Sequence, residues 1–329
     1  INIMKEIKFL DYKLENNLDL NDIILKNNTD SKISFTNIKS IYLYSYLWTV
    51  ITNDFYIFKD FERVYSNIKH RDHILIRQEE LEKKLKLTNE LKGNYFLLGG
   101  ENNYWHLLID YLPRLVCLNE IDLNNTQVII NSDISDKFQL FILKILKLMN
   151  LKKVKFIKID RINKLYKFEK LFIPSRPSVN FAYEFYDKII GQNTDKKPVK
   201  NIYVRRGNVV NRKVINEIEV EELLLSYNYE IVDCANLSVD DQIEKFSFAK
   251  NIIIVHGASL ANLLFVPNNI NVVEIRSNID GEFSTNLNIN KRFNLFLFNK
   301  TKKVGNKLRK DIVVNIAELE KFILKNNFF

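Results

Sequence analysis

Short apolar blocks bounded by polar residues alternate along this chain with stretches in which apolar residues recur every three or four positions. The first pattern predicts buried strands and the second amphipathic helices. NYFLLGG at 94–100 reads as a strand and NNYWHLLIDYLPRLVCL at 102–118 as the helix after it. TQVIINS (126–132), DKFQLFILKILKLMN (136–150) and VKFIKID (154–160) then read as strand, helix and strand. This β-α-β-α-β order predicts a mostly parallel sheet with helices on both faces.

Upstream, the Ile-, Tyr- and Phe-rich stretch from Ser31 to Lys59 reads as strands near a domain edge, and 78–92 as a short charged helix or loop. LYKFEKLFIPSRPS at 165–178 looks less regular, and a helix follows around FAYEFYDKIIG. The polar segment GQNTDKKPVK at 191–200, with Pro198, reads as a domain boundary.

The second half repeats the alternation more cleanly. NIYVRRG, YEIVDC, NIIIVHG and NVVEIRS are strands, and NEIEVEELLLSY, SVDDQIEKFSFAK and ASLANLLFV are the helices between them. After RFNLFLFN and the basic segment KTKKVGNKLRK, the stretch IVVNIAELEKFILKNN has helical spacing. The organisation expected is an N-terminal domain over 1–195, a doubly wound α/β domain over 196–310, and a C-terminal helix over 311–329 that packs back on the first domain. Ligands of such sheets bind outside the C-terminal strand ends.

Composition narrows the chemistry. The chain has 329 residues and only 8 glycines, none in a GxGxxG or GxxxxGK[ST] arrangement, which excludes the glycine-rich nucleotide loops. Its 2 cysteines, Cys117 and Cys234, lie in apolar sequence without metal-ligand spacing, so a reducing, cytoplasmic setting is expected, with neither disulfide nor zinc. No apolar run is long enough to span a bilayer. The net charge of +9 favours an anionic partner: a nucleotide, an acidic glycan, anionic lipid or nucleic acid. No interleaved basic and aromatic module supports specific nucleic-acid binding.

Three places carry candidate chemistry. Asn103, His106, Asp110 and Arg114 share one face of the first predicted helix, and a His with an Asp one turn away suits general-base work. The same spacing also suits a capped helix whose His and Asp hydrogen-bond locally. Trp105 reads as core packing. Arg205 and Arg206 close a strand, with Arg212 and Lys213 close behind, and suit a pyrophosphate or a solvated basic turn. His256 and Gly257 end a buried strand, and Ala258 and Ser259 open a helix whose amides suit an anion, with Asn262 one turn on. Ser259 also suits a helix cap. Glu274 is placed for a sugar or ribose hydroxyl, or for a salt bridge with Arg276. No acidic DxD cluster flanked by apolar residues predicts a hard-metal site.

Taken together, NNYWHLLIDYLPRL, IYVRRGNVVNRKVINEIEVEELL, the segment from YEIVDC through HGASLANLLFVP, and NVVEI resemble glycosyltransferase family 61, over about residues 94–276. The resemblance implies a GT-B fold of two Rossmann-like domains facing across a cleft, the nucleotide-sugar on the C-terminal one and the acceptor on the N-terminal one. It implies inverting transfer without a metal or other cofactor, UDP being the expected nucleotide. By position, His106 and Asp110 match the family's HWLxD-type segment, and either serves as the base. Arg205 and Arg206 match its paired basic residues, and His256, Gly257 and Glu274 its donor segment. The donor set expected is completed by Arg212, Ala258, Ser259 and Asn262, and Asn103 and Arg114 go to the acceptor. Leu107 stands where the family has Trp. The expected role is synthesis of a bacterial-type surface glycan such as capsule or lipopolysaccharide, on a glycan or lipid-linked acceptor. The protein is expected in the cytoplasm, with peripheral contact to anionic membrane through FQLFILKILKLMNLKKVKF. The rival reading is a non-catalytic nucleotide- or glycan-binding module of a larger protein.

Overall fold

The computed structural model describes residues 9–10, 21–24, 32–45, 48–51, 57–58, 88, 90–99, 102–160, 162, 164–191, 196–207, 209–277, 283–288, 291–305 and 311–329. Most of the charged stretch expected at 78–92 lies outside them, as do parts of the strands expected over 31–59, 192–195 of the polar linker, and 306–310 of the basic segment. Two compact units divide the chain, Ile1–Phe185 and Tyr186–Phe329.

The first unit carries a sheet that has nine strands among the described residues. They are β1 (Phe9–Leu10), β2 (Asn21–Ile24), β3 (Lys32–Tyr44), β4 (Thr49–Ile51), β5 (Ile57–Phe58), β6 (Glu90–Gly99), β7 (Thr126–Asn131), β8 (Lys155–Ile159) and β9 (Leu165–Pro174). The order is β1-β5-β4-β3-β9-β6-β7-β8, with β2 beside β3. β9, β6, β7 and β8 run parallel, as the β-α-β-α-β pattern requires. The other half is antiparallel through β2, β3 and β4, so the sheet is mixed rather than mostly parallel.

The stretch 165–178 read as irregular contains β9, the strand between the two halves. Its buried residues Leu165, Phe168, Leu171 and Ile173 are spaced three, three and two apart, with lysines between them. That spacing matches neither the strand nor the helix period cleanly. Pairing with β3 and β6 holds it extended. The core gathers Ile41, Leu43, Tyr95, Leu97, Ile129, Phe168, Leu171 and Ile173.

Between β6 and β7 runs a composite helix: an α turn α1 (Tyr104–His106), a π segment Leu107–Tyr111 and a 3-10 segment Leu112–Glu120. Pro113 stands at the start of the 3-10 segment, where its missing amide costs least. α2 (Asp136–Leu148) links β7 to β8 and buries Phe138, Phe141, Ile142, Ile145 and Leu146. Leu140 and Leu143 stay exposed on its outer face.

Helix α3 (Val179–Ile189) buries Phe181, Ala182, Tyr183, Phe185 and Tyr186, and the division between units falls inside it. The sequence reading put that division at 195/196. A helix with so continuous a buried face is packed, not a linker, and the polar run that suggested the boundary comes after it.

Among the described residues the second unit is built on five parallel strands, β10 (Lys200–Val204), β11 (Glu230–Val232), β12 (Ala249–Val255), β13 (Ile270–Ile275) and β14 (Phe293–Phe298), in the order β11-β10-β12-β13-β14. Its helices are α4 (Glu217–Ser226), α5 (Val239–Ser247), the 3-10 helix Ala258–Phe265, α6 (Phe283–Leu287) and α7 (Ile316–Lys325). α5 starts with a capping box between Ser238 and Asp241, and the Asn315 side chain accepts from the Glu318 amide to start α7.

An asparagine ladder pins the strand register. Asn251 Nδ2 donates to Asn201 Oδ1 at 2.9 Å, Asn271 to Asn251 at 2.8 Å, and Asn294 to Asn271 at 3.0 Å. These four residues are register partners near the starts of β10, β12, β13 and β14. A one-residue slip would break every rung.

Residues 311–329 hold more than the helix expected there. β16 (Asp311–Val314) pairs antiparallel with β15 (Thr301–Val304) before α7 begins. Leu319, Ile323 and Phe328 belong to the second unit's core, with Tyr203, Ile253, Val255, Val273 and Ile275. The apolar face of α7 thereby covers the sheet face opposite the one carrying Ile254 and Glu274, since neighbours along a strand point to opposite faces. No helix among the described residues is long and apolar enough to cross a membrane.

Candidate functional site

In the first unit the composite helix brings His106 and Asp110 together as their spacing requires. Nδ1 of His106 lies 2.5 Å from Asp110 Oδ2, with the carboxylate buried and the imidazole 12% exposed. The π segment sets this pair, its wider turn closed by the Leu112 amide donating to the Leu107 carbonyl. Such segments cluster at functional sites.

The other Asp110 oxygen accepts from Arg176 Nε at 2.8 Å. Arg176, which the sequence reading passed over, follows the C-terminal end of β9 and is 45% exposed on its side chain. Burial alone would raise the Asp110 carboxyl. The His106 hydrogen bond and the Arg176 charge outweigh it and hold the group below the ordinary carboxylate value. Asp110 is therefore the acceptor, and the Nδ1 proton is His106's to donate. The basic lone pair of the imidazole is then on Nε2.

The other residues of that face make local contacts. Asn103 caps α1, its Oδ1 accepting from the His106 amide at 3.4 Å. Arg114 is buried at 4% exposure, donates to the Leu98 carbonyl at 3.1 Å and lies over the Tyr111 ring. Burial lowers its pKa, and the charges around it only partly offset that. Arg114, sealed in the core, leaves the acceptor-binding set, whereas Asn103 is half-buried with its Oδ1 engaged as the cap. Trp105 is buried, as expected of core packing. Gly99 explains how β6 passes so close to this helix. A Cβ there would stand 2.2 Å from the Tyr111 ring, on a backbone with φ of +151°.

In the second unit Arg206, His256 and Arg276 each follow a strand by one or two residues. Extending the paired registers puts them in one row across β10, β12 and β13. The His256 amide donates to the Ile275 carbonyl at 2.9 Å, which continues the pairing past the strand ends. The Arg206 side chain reaches toward this row. A Cβ on Gly257 would fall 2.1 Å from its Nη1, so only a glycine lets the guanidinium lie there. Its Nη2 donates to the Asn211 carbonyl at 3.2 Å.

Gly257 has an extended backbone (φ 170°) that any residue adopts, so Gly257→Ala is expected to fold normally and displace the guanidinium. Affinity for an anionic ligand should fall about tenfold, the worth of one charge-assisted hydrogen bond. Unchanged thermal melting with weaker titration by pyrophosphate would check this.

His256 is fixed from behind. Its Nδ1 lies 2.5 Å from Glu274 Oε1, and Ser284 Oγ donates to Glu274 Oε2. Phe283 stacks on the imidazole at 5.0 Å between centroids. Glu274 is fully buried with both oxygens engaged, so its partner is His256 rather than a ribose hydroxyl or Arg276. Ser284 and Phe283, on α6, were not legible as site residues, because the short FSTNL segment carries no motif.

Arg205 points away from the row. It pairs with Glu217 at 3.7 Å and Glu221 at 3.2 Å, both on α4. Glu217 also accepts from the Arg206 and Gly207 amides at 2.6 and 2.9 Å, tying down the turn after β10. Arg212 lies in the loop before α4 with φ of +59°. Asn262 is fully buried and donates to Gln242 at 2.9 Å, so it faces the core under α5 rather than a ligand. Ala258 and Ser259 open the 3-10 helix, partly exposed, with Gly257 and not Ser259 in the capping position. Cys117 and Cys234 are buried thiols, not joined in a disulfide.

The family model described as Glycosyltransferase 61 matches residues 104–273, just over half of the chain. The match begins at the helix that holds His106 and ends within β13. No curated protein matches the chain.

Proposed function

The chain belongs to glycosyltransferase family 61 and is a glycosyltransferase, and from that premise we propose inverting, metal-independent transfer of a sugar from a nucleotide-sugar to a glycan hydroxyl. The buried Asp110 that holds Nδ1 of His106, whose imidazole keeps a small exposed edge, carries this reading. His106 is the base through Nε2, and Asp110 orients it and stabilises the imidazolium that forms. The acceptor oxygen bonds to the anomeric carbon as that carbon's bond to the phosphate oxygen breaks. The hydroxyl proton passes to His106, and one in-line displacement inverts the centre.

The second unit takes the donor. Arg206, and His256 with the Gly257 backbone, stabilise the leaving diphosphate, the electrostatic task a divalent cation performs in other enzymes. UDP is the nucleotide expected first. The wider setting proposed is cytoplasmic synthesis of a surface glycan such as capsule or lipopolysaccharide. Exposed Leu140 and Leu143, with the lysines of α2, support peripheral contact with an anionic membrane that carries a lipid-linked acceptor.

Thermal melting with UDP, GDP, CMP and ADP, each with and without EDTA, tests the donor side. A nucleotide at a hundred times its Kd adds about 2.7 kcal/mol to a state that binds it. One nucleoside diphosphate is expected to stabilise the wild type in EDTA and to leave Arg206→Ala unshifted. No shift with any nucleotide would overturn the reading in favour of a glycan-binding module without turnover.

A further inference from the structure

We infer that Arg276 is a third donor-binding residue, one that takes an oxyanion of the nucleotide-sugar. The inference rests on the donor reading of the second unit and adds to it a residue which that reading did not contain.

The first observation is placement. The asparagine ladder aligns β10, β12 and β13 at one end, with Asn201, Asn251 and Asn271 in register. Five residues further along each strand come Arg206, His256 and Arg276. Neighbouring strands are about 4.8 Å apart, so the row spans roughly 10 Å at the C-terminal edge, where parallel sheets bind their ligands. Strand alternation puts Arg276 on the face that carries Glu274, opposite the Val273 and Ile275 face buried against the α7 core.

The second observation is that two of the three guanidinium nitrogens lack an acceptor among the described residues. Nε and Nη1 of Arg276 are both buried, and no described residue accepts a hydrogen bond from either. The backbone of the residue is fully used, its amide donating to Phe298 and its carbonyl accepting from Thr301. The carboxylate nearest along its own strand, Glu274, is taken by His256 and Ser284. Arg276 is half-buried, and each buried N–H left without an acceptor is costly to the fold, a cost that no contact among the described residues repays. An incoming oxyanion supplies what the guanidinium lacks, in the paired geometry that phosphate and carboxylate share. That oxyanion is a diphosphate oxygen or a carboxylate on the transferred sugar, and titration separates the two.

The test is calorimetric titration of wild type, Arg276→Met, Arg276→Lys and Arg206→Ala with inorganic pyrophosphate, UDP, UDP-glucose and UDP-glucuronate, alongside melting of the unliganded proteins. Arg276→Met is expected to bind pyrophosphate and UDP about tenfold to a hundredfold more weakly, with Arg276→Lys between it and wild type. Its unliganded melting temperature should be unchanged or higher, because two buried donors without acceptors have been removed. Loss confined to UDP-glucuronate would also support the inference, with the sugar carboxylate as the ligand. Wild-type affinity for every probe in Arg276→Met would overturn it. So would a lowered melting temperature with binding intact, which marks a structural arginine. If Arg206→Ala loses binding while Arg276→Met does not, the donor reading stands and this inference alone fails. A wild type that binds none of the four ends both.

Discussion

Replacing His106 with alanine is expected to lower kcat by about 10²- to 10⁴-fold, the usual worth of a positioned general base, with donor affinity unchanged. Asp110→Asn should cost a comparable amount for a different reason. An amide that donates to Nδ1 would move the imidazole proton to Nε2 and remove the basic lone pair from the acceptor side. Steady-state kinetics with donor titration separates these losses from misfolding. A kcat within a few-fold of wild type in either variant would remove the base from His106.

The same pair makes stability depend on pH. The Asp110 carboxyl is held below its ordinary value, since the His106 hydrogen bond and Arg176 outweigh the opposing effect of burial. A depressed carboxyl contributes stability that is fully present above its unfolded value, about 3.9, and that is lost as pH falls through the lower folded value. The acid limb of the wild-type melting curve should therefore fall below about pH 4. In Arg176→Ala, which leaves burial in place and removes a favourable charge, the folded value moves up toward the unfolded one, so the acid-induced loss should be smaller and should be complete at higher pH.

Glu274→Ala is expected to be the most destabilising single change in the second unit. It leaves His256 Nδ1 and Ser284 Oγ buried without their acceptor and opens a hole in a site with no solvent exposure. The cost should be about 3–5 kcal/mol, a fall of roughly 10 °C in melting temperature. Glu274→Gln keeps the shape and one accepting oxygen and should recover most of that loss. It should recover less of the donor affinity, because His256 loses the charge behind it. Equal melting temperatures for wild type and Glu274→Ala would show that the buried relay is not a stability element.

The β-α-β alternation, the helix carrying His106 and Asp110 and the strand-end placement of Arg206 and His256 were all readable in the chain, because period and one-turn spacing are local properties. A further signal was present and unread. NIYVRR, NIIIVH and NVVEIR each begin with asparagine and reach Arg206, His256 and Arg276 five residues later. Read together they already hold both the ladder and the row.

Partners distant in sequence were decided by the tertiary structure alone. Arg176 meets Asp110 from 66 residues away, and Ser284 meets Glu274 from a segment without a motif. Glu274 looked like a ligand for a ribose because its strand-end position is visible in sequence, whereas the imidazole that occupies it is not. Arg205 and Arg206 are adjacent and chemically equal. Strand alternation sends one to the acidic face of α4 and the other to Gly257. Sequence determined which residue types stand at the strand ends, since that follows from local periodicity. Which of them face a ligand was settled by sheet register and by whatever buried group already holds their hydrogen bonds, and both depend on segments far apart in the chain.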